Sequence, residues 1–253
     1  MEKSNKDLAI VIPSMSRARM VYTTKVTGPL PLVVPESQAA EYRDWNPGCE
    51  VITHPDSIKG LAPKRQWICE KFGDVFMIDD DIVAARRLCT SSGQKGGLTK
   101  EEAVGIIRHG WECAKQAGAY LWCFNHVVNG VLYESHVPIA LTGFANGCAH
   151  GIRAGSGLNY VSDAVGVDGF YISGLNAHKH RILWKDLRFT FQQAPTMTLV
   201  GGQAEWRTME SEKADTLFLR RMFGEAVRIK REIKHGPKCR PIHPYARTMV
   251  VPF

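Results

Sequence analysis

Residues 75–82 read Val-Phe-Met-Ile-Asp-Asp-Asp-Ile. The four apolar residues predict a strand buried on both faces, as strands are in the middle of a parallel sheet. Three aspartates follow this strand directly. Open α/β sheets bind ligands at the carboxyl ends of their strands, so Asp79, Asp80 and Asp81 are predicted to lie at a ligand-binding edge.

The chain before this stretch alternates between predicted strands and helices. Strands are predicted at 8–12, 32–34 and 50–53, with a short helix at 38–42 and a longer one at 60–72. This alternation is typical of an α/β fold with a Rossmann-type, mostly parallel sheet flanked by helices.

The chain after the aspartates is less regular. A polar, glycine-bearing stretch between 86 and 99 predicts a mobile loop, and Thr99 with Glu102 forms a capping-box pattern that starts a helix to about 117. Asn129-Gly130 predicts a hairpin between strands at 119–128 and 131–137. A basic helix is predicted at 213–234. We find neither a repeat nor a clear linker, so residues 1–253 are expected to form a single domain.

Composition sets limits on the class of protein. The chain is 44% hydrophobic and 23% charged, which is ordinary for a globular protein. It contains neither a transmembrane-length apolar run nor a signal-peptide pattern, so we expect a cytoplasmic protein, in the host cytoplasm if viral, with no membrane association and no obligate protein partner. Its seven scattered cysteines form no CxxC pair, which favours reduced thiols over a zinc site or disulfide framework.

The net charge of +7 is concentrated near the C-terminus. Residues 220–253 contain nine lysines and arginines against two glutamates, and nine minus two equals the whole excess. Such a basic segment suits a polyanionic partner, either nucleic acid or the diphosphate of a small ligand. A solvated basic surface with no partner is the alternative.

The acidic triplet itself suggests metal and phosphate chemistry. Adjacent carboxylates repel one another unless a cation neutralises them, and carboxylate oxygens suit Mg²⁺ or Mn²⁺. Alternate residues of a strand point the same way, so Asp79 and Asp81 are predicted to address one ion, with Asp80 orienting or structural. A solvated acidic turn is the alternative. Basic residues that could bind phosphate precede the triplet: Arg17, Arg19, Lys64 and Arg65.

Four stretches carry a resemblance to a known family: VIPSMSRARM at 11–20, GLAPKRQWI at 60–68, DVFMIDDDI at 74–82 and VDGFYISGLNAHKHRILWKDLRFTFQ at 167–192. The first three resemble the nucleotide-binding half of a GT-A-fold glycosyltransferase. Together the four resemble the TET-associated glycosyltransferases of bacteriophages, which are thought to modify 5-hydroxymethylpyrimidines in phage DNA. The resemblance implies a divalent metal, Mn²⁺ or Mg²⁺, a nucleotide-sugar donor of the UDP-sugar type, and a DNA acceptor containing 5-hydroxymethylcytosine.

The resemblance also implies roles for residues. Residues 1–85 would bind the nucleotide sugar, and residues 86–253 would bind the acceptor. Asp186, placed before a helix, would be the catalytic base, with Asp168 the second candidate. The implied donor-binding residues are Pro13, Ser14, Arg17, Arg19, Lys64, Arg65, Asp79 and Asp80. The implied metal ligands are Asp79, Asp81 and His235, with His243 an alternative to His235. The implied acceptor-binding residues are Asn176, His178, Lys179 and Arg181.

Two departures from the family pattern bear on these roles. Lys185-Asp186 stands where many relatives have two acids, and SMSRAR replaces a glycine-containing SRGR loop, which leaves open which arginine meets the diphosphate. Three other functions remain possible at this point: a GT-A transferase acting on a glycan, lipid or protein, a non-catalytic nucleic-acid-binding module, and a nucleotidyltransferase.

Overall fold

The computed structural model describes residues 7–90, 96–145, 147–194, 208–230 and 244–250. Its helices are α1 (Thr23–Thr27), α2 (Ala39–Trp45), α3 (Leu61–Phe72), α4 (Lys100–Gln116), α5 (Asp168–Lys179) and α6 (Met209–Phe223). Its strands are β1 (Ala9–Pro13), β2 (Leu32–Pro35), β3 (Val51–His54), β4 (Val75–Ile78), β5 (Ile82–Arg87), β6 (Leu121–Asn125), β7 (Ile139–Ala140), β8 (Ala149–Ile152), β9 (Trp184–Gln193), β10 (Val227–Ile229) and β11 (Arg247–Met249).

A nine-stranded sheet organises the chain, in the order β3-β2-β1-β4-β8-β6-β9-β5, with β7 also paired to β9. The first four strands in this order run parallel to one another. The strand β8 is antiparallel to both β4 and β6, whereas β6 and β9 are parallel. The predicted α/β class with a Rossmann-type sheet is therefore confirmed, and antiparallel pairs extend the sheet beyond β4.

Alternate residues of β1 and β4 fill two separate cores. Ile12 and Phe76 face the core covered by α4, which contributes Trp111. Val11 and Met77 face the opposite core. That second core is covered by α3 and α5, which contribute Ile68 and Ile172. Because α3 and α5 cover the same face, polar residues on these two helices can meet at the sheet edge.

A small C-terminal unit packs on α5. The antiparallel pair β10–β11 lies beside α6, and buried Arg247 of β11 forms an ion pair with Glu212 of α6 at 2.7 Å. Gly174 of α5 has no room for a side chain, since a Cβ there would overlap Met249 and Phe223. This unit therefore holds α5 from the side away from the sheet. No helix in the described ranges is both long and apolar enough to cross a membrane.

The N-terminal secondary structure matches the sequence predictions closely. The predicted helices at 60–72 and from Thr99 are α3 and α4, and the Thr99–Glu102 capping box is present. The strand β5, directly after the acidic triplet, was not predicted. Part of the predicted mobile loop, 91–95, lies outside the described residues.

Three predictions in the second half are wrong. The Asn129-Gly130 hairpin is absent from the described structure, because the Asn129 side chain accepts from Val131 N and closes one 3-10 turn instead. The helix predicted at 213–234 ends at Phe223, where Gly224 adopts a φ of 56° and the chain continues into β10. The residues after Asp186 form the strand β9 instead of the expected helix. This strand pairs with β6 on one side and with β5 on the other.

Candidate active site

Two adjacent parallel strands bring Ser14 and the acidic triplet to one edge. The register pairs Ala9 with Val75 and Val11 with Met77, so the residues after β1 lie beside those after β4. The Ser14 hydroxyl donates to Asp80 Oδ2. The sheet edge predicted from the apolar strand at 75–78 is therefore present, and it is buried: Asp80 is only 5% exposed.

Asp80 is held on the β1 side of this edge. Arg17 Nη1 donates to Asp80 Oδ1 at 3.0 Å. The hydroxyl of Tyr42, from α2, lies 2.7 Å from Ser14 Oγ and accepts from Arg17 N at 3.1 Å. Tyr42 thus fixes both partners of Asp80. No local pattern indicates this role of Tyr42, since it depends on a contact with Ser14, 28 residues away.

Asp79 points toward the opposite core, where Arg65 of α3 binds it. Arg65 Nη2 lies 2.7 Å from Asp79 Oδ1 and also donates to Gly147 O at 2.7 Å. Arg65 Nη1 donates to Asp168 Oδ2 at the start of α5. One buried guanidinium therefore joins the triplet to Asp168. This geometry fits the tight packing of Gly147 against Gly169, where an added Cβ would meet backbone at 3.1 Å.

Asp81 differs from the other two aspartates in its hydrogen bonding. Its Oδ2 accepts from Arg17 Nη1 at 3.4 Å and from Gln193 Nε2, at the end of β9, at 3.2 Å. Its Oδ1 is buried and has no hydrogen-bond partner among the described residues. A buried carboxylate oxygen without a donor is costly, so this atom is suited to a cation or a ligand donor.

Thr23 of α1 fixes the backbone of the triplet. Its hydroxyl donates to Asp79 O at 2.5 Å and accepts from Ile82 N at 3.1 Å. Its amide donates to Asp80 O at 3.2 Å. These contacts hold the turn between β4 and β5 in one conformation. The sequence analysis missed Thr23, Tyr42 and Gln193, because each reaches the site through tertiary contacts.

The two remaining basic candidates differ in placement. The buried Lys64 ammonium donates to Ser14 O at 2.7 Å. Burial lowers the pKa of Lys64 to about 8, against the opposing effect of Asp80. Arg19 is exposed and stacks on Trp45, 4.3 Å from the ring centroid. The structure therefore brings Arg17 to the triplet and directs Arg19 elsewhere.

Burial shapes the electrostatics of the edge. It raises the pKa of Asp79 to about 8, with Arg65 opposing and the neighbouring acids adding to the rise. Burial also raises the pKa of Asp80 and of Asp81. For Arg65, burial acts to lower the pKa, but Asp168 and Asp79 raise it well above its usual range. These carboxylates are therefore placed where added positive charge stabilises their ionised forms.

Asp168 lies where a proton acceptor is useful. It is buried, it opens α5, and it is joined to Asp79 through Arg65. The loop before it is anchored from α6: Asp215 Oδ1 accepts from Val165 N at 3.1 Å, and Oδ2 accepts from Gly166 N at 3.0 Å. Asp215 was not among the sequence candidates. It lies 50 residues from Val165 and 49 residues from Gly166 in the chain, so no local pattern points to it.

Asp186, the first choice for the catalytic base, is not brought to the triplet. It lies in β9 opposite Phe124 of β6, and the strands β8 and β6 separate β9 from β4. Three strand spacings of about 4.8 Å place it roughly 14 Å from β4. Arg188 binds its carboxylate, at 3.0 Å through Nε and 2.7 Å through Nη2. The residues after Asp186 form a strand where a helix was expected, and this places Asp186 away from the triplet.

The predicted acceptor-binding residues lie at or just after the C-terminal end of α5, away from Asp168. They are Asn176, His178, Lys179 and Arg181. From Asp168 to Asn176 is eight residues, or about 12 Å of helix. Asn176 Nδ2 donates to Ile182 O, and Lys179 Nζ donates to Gly157 O at 2.7 Å, so both side chains stabilise local structure. His180 packs on Tyr120, next to the amino end of β6, which is the edge opposite the triplet.

The expected metal ligands are only partly described. Asp79 and Asp81 are placed as above, whereas His235 and the alternative His243 lie outside the described residues. Within the described ranges, no group of three or more His, Cys, Asp or Glu side chains is arranged to hold a metal ion. Among the described residues, Asp81 Oδ1 has no hydrogen-bond partner and Arg65 binds Asp79 through Oδ1, so each carboxylate keeps an oxygen that could bind a cation.

Comparison with known proteins bears on this edge directly. Residues 8–109 match the family model described as TET-Associated Glycosyltransferase, and this range includes Ser14, Arg17, Arg65 and the triplet. The match identifies the chain as a glycosyltransferase. It also confirms the family resemblance of the first three stretches, whereas the fourth, at 167–192, lies outside the matched residues.

Two further comparisons were made for the glycosyltransferase. Its structure is similar to that of S. aureus TarS, residues 1–349, with a TM-score of 0.45 and 9% identity, over 87% of this chain and 72% of that one. No curated protein matches it.

Proposed function

We propose that the glycosyltransferase moves a sugar from a nucleotide-sugar donor, a UDP-sugar, to the hydroxymethyl group of 5-hydroxymethylcytosine in phage DNA. The observation that carries the proposal is the Arg65 bridge between Asp79 and Asp168. It holds a buried carboxylate beside the strand edge where α/β folds bind nucleotides.

Asp168 is the proposed base. Glycosyl transfer passes through an oxocarbenium-like state, and in an inverting reaction a carboxylate takes the acceptor hydroxyl's proton. Asp168 lies at the triplet, whereas Asp186 is engaged by Arg188 in β9. Arg65 orients the Asp168 carboxylate through its buried hydrogen bond.

Arg17 is proposed to face the donor diphosphate, with Lys64 supporting it from the interior. Arg17 lies at the mouth between Asp80 and Asp81, with its side chain 12% exposed. A guanidinium in this position stabilises the negative charge that develops on the departing diphosphate. Lys64 supports the loop that carries Arg17 through its bond to Ser14 O.

A divalent cation fits the site at Asp81. Four carboxylates, Asp79, Asp80, Asp81 and Asp168, share three cations, Arg17, Lys64 and Arg65, and Asp81 Oδ1 has no donor among the described residues. Mg²⁺ and Mn²⁺ commonly bind one or two carboxylates and complete their coordination with substrate phosphates. Bound there, the ion would supply Lewis-acid stabilisation of the diphosphate.

The DNA acceptor is supported by the positive charge of the chain. The described part of the basic segment includes Arg220, Arg221, Arg228 and Lys230. Their side chains are exposed, and so accessible to the phosphates of a DNA backbone.

The proposal is tested by incubating the full chain with Mn²⁺, a nucleotide sugar and an oligonucleotide containing 5-hydroxymethylcytosine. Mass spectrometry is expected to find a gain of one sugar residue per modified base with a UDP-sugar. An unmodified oligonucleotide is the control. Transfer to a saccharide, lipid or protein with none to the DNA would instead support the other acceptor classes and overturn the proposal.

A further inference from the structure

We infer that Lys185, with His126, forms a binding subsite for a phosphate group of the acceptor strand. The inference rests on the proposed function for the identity of the strand. Its physical basis is a buried ammonium that has no carboxylate partner among the described residues.

Lys185 differs from the other buried cations in the described part of the chain. Arg65 and Arg247 each form ion pairs with carboxylates, and Lys64 lies in the field of Asp80. The Lys185 ammonium donates to Phe144 O at 2.9 Å and to His126 Nδ1 at 3.2 Å. Asp186, its neighbour along β9, faces the other side of the strand, as alternate residues do. Buried charges are normally paired, so an anion is the missing partner.

His126 lies beside the Lys185 ammonium and would contact such an anion as a neutral side chain. Partial burial and the nearby Lys185 charge lower the pKa of His126, and its neutral ring accepts a hydrogen bond from the ammonium. Although Lys185 is buried, His126 is exposed, so the pair opens to the surface. It follows β6 at the same carboxyl edge as the triplet, where ligands of this fold collect.

Lys185 lies close to the candidate active site. Lys185 binds Phe144 O, and Arg65 binds Gly147 O, three residues later. Three residues span at most about 11 Å of chain, which limits how far the two cations stand apart. Phe144 also packs on Phe170 in the first turn of α5, with ring centroids 4.7 Å apart. A nucleotide whose base reaches Asp168 therefore has a cation within reach of its own backbone.

The sharpest test uses His126, because its exposed position tolerates substitution. His126→Glu supplies Lys185 with the missing carboxylate and repels a phosphate, whereas His126→Gln keeps a neutral side chain. Fluorescence anisotropy with an unmodified labelled oligonucleotide measures binding without any need for transfer. We expect His126→Glu to raise the Kd about tenfold and His126→Gln to change it little.

Lys185→Met removes the charge and keeps the apolar stem. We expect it to weaken oligonucleotide binding and to reduce the salt dependence of log K by about one unit, the signature of a lost phosphate contact. Lys185→Arg is expected to retain binding. Lys115→Met is the control, since it removes an equal charge from α4, where Lys115 pairs with Glu112.

Binding of UDP with Mn²⁺, measured by calorimetry, separates the two sources of phosphate. We expect it to be unchanged in His126→Glu and Lys185→Met. Weaker UDP binding with normal oligonucleotide binding would assign the anion to the donor and overturn the inference. Folded variants that change neither would make Lys185 a structural residue. If wild type transfers no sugar to DNA but its oligonucleotide binding depends on Lys185, the proposed function fails and the subsite stands.

Discussion

Arg65 and Asp168 form a buried ion pair although 103 residues separate them in the chain. The same guanidinium binds Asp79 at 2.7 Å. The helices α3 and α5 therefore share a charge network at one edge of the sheet. This network is what connects the metal- and diphosphate-binding side of the proposed site to its proposed base.

Replacing Arg65 tests whether the network needs a guanidinium. Arg65→Lys keeps the charge but lacks the planar fork that reaches Asp79 and Asp168 together. We expect kcat to fall about 100-fold, because a small displacement of a catalytic group reduces the rate by about this factor. Arg65→Met leaves two buried acids unpaired and is expected to lower the free energy of unfolding by about 3–5 kcal/mol.

Arg87→Lys is the matched control for Arg65. Arg87 pairs with Glu102 at 3.4 Å, and both side chains are largely exposed. Exposed pairs contribute little, so neither kcat nor the melting temperature is expected to change measurably. Equal losses in Arg65→Lys and Arg87→Lys would contradict a special role for the buried network.

Asp81 is predicted to dominate metal-dependent binding of the donor. Asp81→Asn removes the charge beside the unpartnered Oδ1, so we expect UDP affinity in Mn²⁺ to fall at least about tenfold, or about 1.4 kcal/mol. Affinity measured in a chelator is expected to stay the same. An unchanged Mn²⁺ effect in Asp81→Asn, together with its loss in Asp79→Asn, would move the metal to Asp79.

Asp215 is predicted to act as a positioning residue. Asp215→Ala removes the acceptor of Val165 N and Gly166 N, just before Asp168. We expect the donor KM to stay constant while kcat falls, because the loop that carries the base is loosened. Asp163→Ala, in the same loop but exposed and 3.8 Å from Arg221, is the control. A raised donor KM with normal kcat would contradict the assignment.

Gly151 in β8 is predicted to be indispensable for packing. A Cβ there would overlap the indole of Trp122, which is fully buried. We expect Gly151→Ala to lower the free energy of unfolding by about 1–3 kcal/mol, the usual effect of overpacking. Gly105→Ala, in α4 with open space around it, is expected to raise it by about 0.5–1 kcal/mol. Thermal denaturation of both variants checks this pair, and similar melting temperatures would contradict it.

The N-terminal half of the fold was predictable because its signals are local. Apolar runs such as 75–78 define buried strands, and register then places Ser14 beside Asp80 without further information. Local signals were also present where the prediction failed. Gly224 marks the end of α6. The apolar residues Leu187, Phe189 and Phe191 alternate with polar ones, which is the pattern of a strand.

The rest of the site depends on contacts that no local pattern encodes. The contact that marks Asp168 is with Arg65 of α3, far away in the chain. Likewise, no sequence pattern around Thr23 indicates its hydrogen bonds to the triplet backbone. Lys185 was noted as a departure from a family pattern of paired acids. The tertiary structure adds that its ammonium has no carboxylate partner among the described residues, which no sequence pattern shows.

The most direct test of the central claim compares Asp168→Asn with Asp186→Asn in the transfer reaction. If Asp168 is the base, Asp168→Asn is expected to reduce kcat by about 10²–10⁴-fold, the usual contribution of a general base, with donor affinity retained. Asp186→Asn is expected to retain kcat within about tenfold while destabilising β9 through its lost bonds to Arg188. Normal turnover in Asp168→Asn, with turnover abolished in a folded Asp186→Asn, would contradict the account.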